Sequence, residues 1–387
     1  MKSWQTGKLG ELVAFKTGKL DSNAAVPDGD YPFFTCSQET LRTNTFSFDT
    51  ECVLLAGNNA NGIYPLKYFH GKFDAYQRTY VVKPRDTEVL TTKFLYYALR
   101  PKLSELRSFS TGAATKFLTL TILNETEISF PPLPVQRRIA GILSAYDELM
   151  ENSQRRIRLL EAMARALYRE WFVHFRFPGY EKLPRVASPL GDIPQGWEVK
   201  KLGDIAEDMR RNVPKGELEG PKPYVGLEHI PRRSLALDAW ETATELGSNK
   251  LEFKKGEVLF GKIRPYFHKV SVAPFDGLCS ADTIVIRSRR PEHYAVVVAC
   301  VSSDAFVAEA SATANGAKMP RANWDVLEKF PVVIPNGKVA EKFSELFADS
   351  IAQQRALIFQ IQNLRRTRDL LLPRLLSGQV NLEDRHG

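Results

Sequence analysis

The strongest constraint on this chain is a repeat of nearly half its length, because a repeat of that size asks for the same kind of globule built twice. Trp4, followed after four residues by Leu9-Gly10-Glu11-Leu12, returns 193 residues later as Trp197 followed by Leu202-Gly203-Asp204-Ile205. Val53-Leu54-Leu55-Ala56-Gly57 returns as Val258-Leu259-Phe260-Gly261, and Phe73-Asp74 with Thr79-Tyr80-Val81-Val82 returns as Phe275-Asp276 with Thr283-Ile284-Val285-Ile286. The offset has then grown to about 204, as loop insertions would make it. A length of 387 residues holds two or three domains at roughly 150 residues each. Each copy mixes short β-rich runs, broken by Gly, Asn and Pro, with helical stretches such as Thr92 to Leu106 and Glu292 to Ala310, which predicts an α/β (α+β) globule.

Each copy ends in a strand, a proline and a long helical pattern, proline being a recognised helix-start signal. In the first pattern, apolar or small residues recur at Val135, Ile139, Ile142, Tyr146, Leu149, Ser153, Ile157, Leu160, Ala164, Leu167 and Trp171. The same steps of three and four, 204 residues later, land on Val339, Phe343, Leu346, Ser350, Gln353, Leu357, Ile361, Leu364, Arg368, Leu371 and Leu375. Alternating threes and fours make a coiled-coil seam, and two consecutive fours make a stutter, here at one register in both copies. The alternative is a lone amphipathic helix packed on each domain. Val135 to His174 would span about 60 Å, longer than one small domain is wide, which favours two helices burying their seams on each other. If the halves are related by a pseudo-two-fold, the helices run antiparallel. Pro178-Gly179 ends the first; Pro373 kinks or ends the second, with Ser377-Gly378 as its last stop.

Composition excludes several classes. With 43% hydrophobic and 25% charged residues the chain is neither disordered nor fibrous. Its longest apolar run, Tyr294 to Val301, is far shorter than a membrane span, and the N-terminus leads into no apolar signal segment, so a cytoplasmic location is expected. Cys36, Cys52, Cys279 and Cys300 lie far apart with no Cys-x-x-Cys pair and are expected as buried thiols. The net charge of +8 suits a polyanionic partner, yet residues 134–187 hold 10 basic against 6 acidic groups while residues 188–335 balance at 20 and 20. Any nucleic-acid face must therefore be a local patch.

Catalytic patterns are weak. A glycine-rich cofactor loop, an Asn/Asp-Pro-Pro-aromatic motif for an extruded base and a Walker sequence are all missing. Gly57-Asn58-Asn59-Ala60-Asn61-Gly62 lacks dinucleotide-loop spacing and reads as a turn with amide side chains. His70, His174, His229, His268, His293 and His386 show no pairing at ligand spacing. Asp238 with Glu252-Phe253-Lys254 can be fitted to a magnesium nuclease pattern, and this self-sufficient DNA nuclease stays as an alternative, beside a protein-binding scaffold.

Four segments stand out in wording: Pro131-Pro132-Leu133-Pro134-Val135-Gln136-Arg137-Arg138-Ile139, the segment from Ala162 to Gly179, the strand segment from Gly71 to Val82, and Leu371 to Val380. In this order, around two long helices, they resemble the specificity subunit of type I restriction-modification enzymes over nearly the whole chain. One departure is that Asn336-Gly337-Lys338-Val339-Ala340 stands where the first copy has Pro134-Val135-Gln136-Arg137-Arg138. The resemblance implies two target recognition domains, at 1–133 and 179–335, joined by antiparallel spacer helices at 134–178 and 336–387. It implies a non-catalytic subunit that reads a bipartite double-stranded DNA target and docks two methyltransferase subunits and ATP-dependent restriction subunits. S-adenosylmethionine, ATP and magnesium then belong to the partners, and no cofactor or metal to this chain.

Reading DNA takes Arg or Lys for guanine and phosphate and Asn or Gln for adenine. Candidates in the first domain are Asn58, Asn59 and Asn61, Gln77 and Arg78, and Thr111, Thr115 and Lys116. In the second they are Arg232 and Arg233, Lys262, Arg264, Tyr266 and His268, and Lys318 and Arg321. Each could equally be an ordinary solvated loop residue; the set is favoured over its members. Arg155, Arg156 and Arg158, with Arg365, Arg366 and Arg368, fit a solvated helix face or a partner contact better than phosphate. Tyr168, Trp171, Phe172, Phe175 and Phe177 are too apolar for solvent, and belong either to the helix end's own domain or to a partner interface.

Overall fold

A computed structural model describes residues 4–59, 63–109, 116–335, 337–380 and 382. The chain divides into two compact units, residues 1–148 with 364–387 and residues 149–363. The division falls inside both long helices, Leu133–Tyr168 and Gly337–Leu376.

Unit 1 is an α+β globule on a six-stranded sheet, in the order Val13–Thr17, Thr79–Pro84, Phe48–Ala56, Leu66–Ala75, Tyr31–Phe34, Leu41–Thr43. Its central strand is apolar on both faces, as alternation requires of a strand covered on both sides. Val53 and Leu55 enter one core with Phe94, Leu95 and Leu99 of helix Thr92–Phe109, while Cys52 and Leu54 enter another with Phe34 and Phe73. Gln5–Lys8 pairs antiparallel with Glu127–Phe130 and closes the domain. Gln136, wholly buried, holds the start of the first long helix: its Oε1 accepts from Thr91 N at 2.9 Å and its Nε2 donates to Val89 O and Pro131 O, each at 2.8 Å.

Unit 2 repeats the plan with interruptions. Glu198–Lys201 pairs with Pro331–Ile334 as the closing ladder. The two long central strands of unit 1 are each broken in unit 2, into Lys250–Phe253 and Val258–Gly261, and into Val270–Val272 and Gly277–Ser280. Glu257 stabilises the first break, its carboxylate accepting from Lys254 N at 2.8 Å and pairing with Arg211; Asp276 accepts from Lys255 N at 2.7 Å in the second. One sheet thus becomes two, yet the parallel pairing Phe33↔Asp74 of unit 1 reappears as Tyr224↔Leu278. The same main-chain tie also recurs, Leu9 N to Thr126 O at 2.9 Å and Leu202 N to Phe330 O at 2.8 Å.

The helix expected over Glu292 to Ala310 is in fact two, Tyr294–Val301 and Asp304–Ala312. Ser303 Oγ caps the second by accepting from Phe306 N at 3.2 Å, and a competing cap of this kind breaks a pattern that apolar periodicity alone reads as continuous. No single helix among the described residues is long and apolar enough to cross a membrane.

Within each unit the two long helices run antiparallel. In unit 2, Phe343 packs on Tyr168, Trp171 and Phe172, and Ser350 Oγ donates to Leu160 O at 3.5 Å. In unit 1, Arg368 meets Asp147 at 2.6 Å, and Leu372 and Leu375 share a core with Ile139 and Leu143. Ile139, Ile157, Trp171, Phe343, Leu357, Ile361 and Leu375 are buried, and Ile142, Tyr146, Leu160, Leu167, Leu364 and Leu371 half-buried. Leu149 and Leu346 are instead exposed at 47% and 42%, their places taken by Met150 and Phe347. The seam has moved by one residue at these turns: Leu149 opens the stutter of the first helix, where a helix rotates relative to a strict heptad, while Leu346 lies two steps ahead of the stutter of the second. Arg368 is buried in the seam rather than free for phosphate, whereas Arg155, Arg156 and Arg158 are exposed. The second helix passes Pro373 and ends at Leu376, with Gly378 at φ +72° beyond it. Trp171, Phe172 and Phe177 lie in the unit 2 core with Trp197, so the aromatic cluster serves its own domain.

Candidate nucleic-acid interface

In each unit the central strand runs out into a turn that is hydrogen-bonded to the segment preceding the last short helix. In unit 1 the turn begins at Gly57, whose N donates to Arg78 O and whose O accepts from Leu118 N, both at 2.8 Å. A Cβ at residue 57 would lie 2.7 Å from Arg78 O and 2.9 Å from the Tyr80 ring, so this close approach requires glycine. Asn58 and Asn59 pair in register with Phe117 and Lys116. The Asn58 Oδ1 accepts from the Cys36 thiol at 2.9 Å, and the Arg78 guanidinium lies 5.4 Å from the Phe117 ring centre. Gln77 and Arg78 are both exposed. Asn61, Thr111 and Thr115 lie outside the described residues, as do the side chains of Asn59 and Lys116.

Unit 2 places the matching turn at Gly261. Lys262 O accepts from Ala322 N at 3.0 Å, Ile263 bridges Arg321, and Arg264 N donates to Pro320 O at 2.8 Å. Arg264 and His268 have φ of +50° and +53°, and between them Pro265–Phe267 makes one 3-10 turn that leaves Tyr266 56% exposed. Arg233, φ +57°, joins them, its N donating to His268 O at 2.9 Å. Three non-glycine residues in the left-handed region, each costing about 1 kcal/mol or more, need a surrounding structure that over-determines them. That structure is visible: the Arg232 guanidinium lies 4.2 Å from the Phe267 ring centre, and His268 Nε2 donates to Ser302 O at 2.9 Å.

The electrostatics divide the basic set. Arg233 pairs with Asp304 at 2.8 Å and Arg321 with Asp282 at 3.5 Å, while Lys262 Nζ donates to Ala281 O at 3.1 Å. Arg232 and Lys318 are exposed and Arg264 half-buried. His268 is 7% exposed, with Nδ1 3.5 Å from Asp304; burial, first among the causes, lowers its pKa, and the ring braces the turn through Ser302 O. Sequence reasoning missed Phe117, Cys36, Asp282 and Asp304, which brace or neutralise the candidates. Only Phe117, adjacent to Lys116, carried a signal.

Two of the nuclease-pattern residues, Glu252 and Lys254, pair with each other. Lys254 Nζ sits 3.2 Å from Glu252 and 3.6 Å from Asp276, while the Asp238 main-chain oxygen is taken by Gln362. Among the described residues no group of three or more His, Cys, Asp or Glu side chains is placed to hold a metal. Of the cysteines, Cys52, Cys279 and Cys300 are buried and Cys36 half-buried.

Two α+β units of one plan, each ending a central strand in a braced polar turn and each carrying part of an antiparallel helical pair, define the class to which known proteins can be compared. The family model for the type I restriction modification DNA specificity domain matches residues 1–162. The type I restriction enzyme EcoDI specificity subunit of Escherichia coli is 31% identical over 379 residues, covering 91% of this chain and 83% of that protein. The MjaIX specificity subunit of Methanocaldococcus jannaschii is 28% identical over 316 residues, covering 78% and 71%. A solved type I restriction-modification S subunit from M. genitalium shares the fold, with TM-score 0.61, 17% identity and 96% coverage of both chains. The chain belongs to the family of type I restriction enzyme specificity subunits.

Proposed function

We propose that this chain is the non-catalytic reader of a type I restriction-modification complex and recognises a DNA target in two separate parts, one part per unit. The observation that carries this reading is the repeated turn. Gly57–Asn59 with Phe117 in unit 1 and Gly261–Arg264 with Arg321 in unit 2 occupy equivalent places and carry amide and basic side chains suited to base edges. Preorganisation by three left-handed residues supports base reading by unit 2, since a loop already fixed loses little further freedom on binding. The near neutrality of residues 188–335 supports local contacts over a general basic surface.

In this reading the helical pair is a ruler that sets the unread gap, with the two half-targets about one helical turn, roughly 34 Å, apart on one face of the duplex. Two methyltransferase subunits carry S-adenosylmethionine, and restriction subunits carry ATP and magnesium. Exposed Leu159 and Met163, 58% and 68% exposed, and the exposed Arg155, Arg156 and Arg158 of the first helix offer a mixed face for such partners. Mapping modified bases in cells carrying the complex, with wild-type chain and with Arg264→Ala, tests the reading. A bipartite motif of which the variant blurs one half supports it; an undivided motif, or one that Arg264→Ala leaves unchanged, counts against it.

A further inference from the structure

We infer that Glu161, on the first long helix, is a positioning residue for base reading by unit 2, tying that helix directly to the loop that braces the Arg264–His268 turn; this rests on the reader assignment above. Glu161 is 3% exposed, and its Oε1 accepts three hydrogen bonds, from Ser234 Oγ at 2.6 Å, Leu235 N at 2.7 Å and Ala236 N at 3.1 Å. Arg165, at 3.9 Å from Oε2, is its nearest cation. A buried carboxylate taking several donors on one oxygen is a strong and directional anchor.

What it anchors is short and continuous. Residues 232–236 run beside 268–272, through the Arg232↔Lys269 bridge, Ser271 Oγ to Ser234 O at 3.0 Å, Val272 N to Leu235 O at 2.9 Å and the Ala236↔Val272 bridge. Immediately before Ser234 stand the two arginines that touch the turn, Arg233 by its N–H to His268 O and Arg232 by its guanidinium over Phe267. A shift of the helix at Glu161 is therefore passed through one hydrogen-bonded ribbon to the exposed Tyr266. The repeat adds an argument: Arg365 stands 204 residues after Glu161, so the second helix does not carry a carboxylate at the matching position.

The test uses the full chain with its methyltransferase partners and scores modification of matched and singly mismatched targets in each half-site, for wild type, Glu161→Ala, Glu161→Gln and Arg264→Ala. Arg264→Ala marks which half unit 2 reads. A base pair ordinarily carries roughly ten- to a hundredfold discrimination. Glu161→Ala is expected to remove about tenfold of it in the half marked by Arg264→Ala, with the other half and the spacer unchanged. Glu161→Gln, which keeps an accepting oxygen in place, is expected to restore most of it. Equal loss in both halves, or no loss in the marked half, overturns the positioning role. If Arg264→Ala marks no half at all, the reader assignment fails instead.

Discussion

Gln136 is wholly buried and directs its amide at three main-chain groups, Val89 O and Thr91 N just before helix Thr92–Phe109 and Pro131 O just before the first long helix. Removing it leaves three main-chain groups without their partner, the Pro131 carbonyl among them buried and the Thr91 N–H half-buried. Gln136→Ala is therefore expected to destabilise unit 1 by about 3 kcal/mol, measured by denaturant unfolding, against a few tenths for the exposed Arg137→Ala. His268 makes a pH-dependent counterpart in unit 2. Burial lowers its pKa below the ordinary value of about 6.5, so the unfolded chain binds a proton there more readily than the folded one. Its full contribution is present above about pH 6.5 and is lost as pH falls through the folded pKa. Burial lowers the pKa of His293 as well, and it adds in the same direction. Melting of unit 2 should weaken between pH 7 and pH 5, and His268→Gln, which can still donate to Ser302 O, should flatten that dependence; an unchanged slope would contradict this origin. The make-up of these turns was legible, since Asn, Gln, Arg and Lys stand close to glycine in the sequence. Their bracing was not, because Asp282, Asp304 and Cys36 are distant in sequence and meet the turns only after folding.

Elements were legible where a period is long and failed where a cap or a rotation intervenes. The two long helices follow from their three-four steps. Ser303 interrupts a stretch whose apolar composition alone suggests one helix, and the exposure of Leu149 and Leu346 reflects a phase change that a fixed list of steps does not contain. Arg368 is the instructive case. Its charge suggested a solvated face, yet it lies buried in the seam, with Asp147 at 2.6 Å, Asp369 at 2.7 Å and Tyr97 donating to the same Asp147 at 2.8 Å. Breaking a buried pair strands the remaining charge. A double-mutant cycle of Asp147→Asn and Arg368→Met should give a coupling of about 2 kcal/mol. Coupling near zero would make the pair ornamental to the helical contact in unit 1.

At the scale of the whole molecule, the repeat made the plan legible: two similar α+β units and two long helices. The splitting of one six-stranded sheet into two in unit 2 was not, because it depends on Glu257 and Asp276 accepting main-chain hydrogen bonds at breaks that an apolar alignment passes over. The central claim is that the helical pair sets the distance between two reading units. Seven residues inserted between Glu148 and Leu149, and seven between Asn363 and Leu364, keep the heptad phase and add about 10 Å to each helix. The decisive measurement is the genome-wide map of modified bases in cells carrying this lengthened chain. The account predicts the same two half-sequences with an unread gap longer by about three base pairs, at 3.4 Å each. Modified sites that keep the original gap would contradict it.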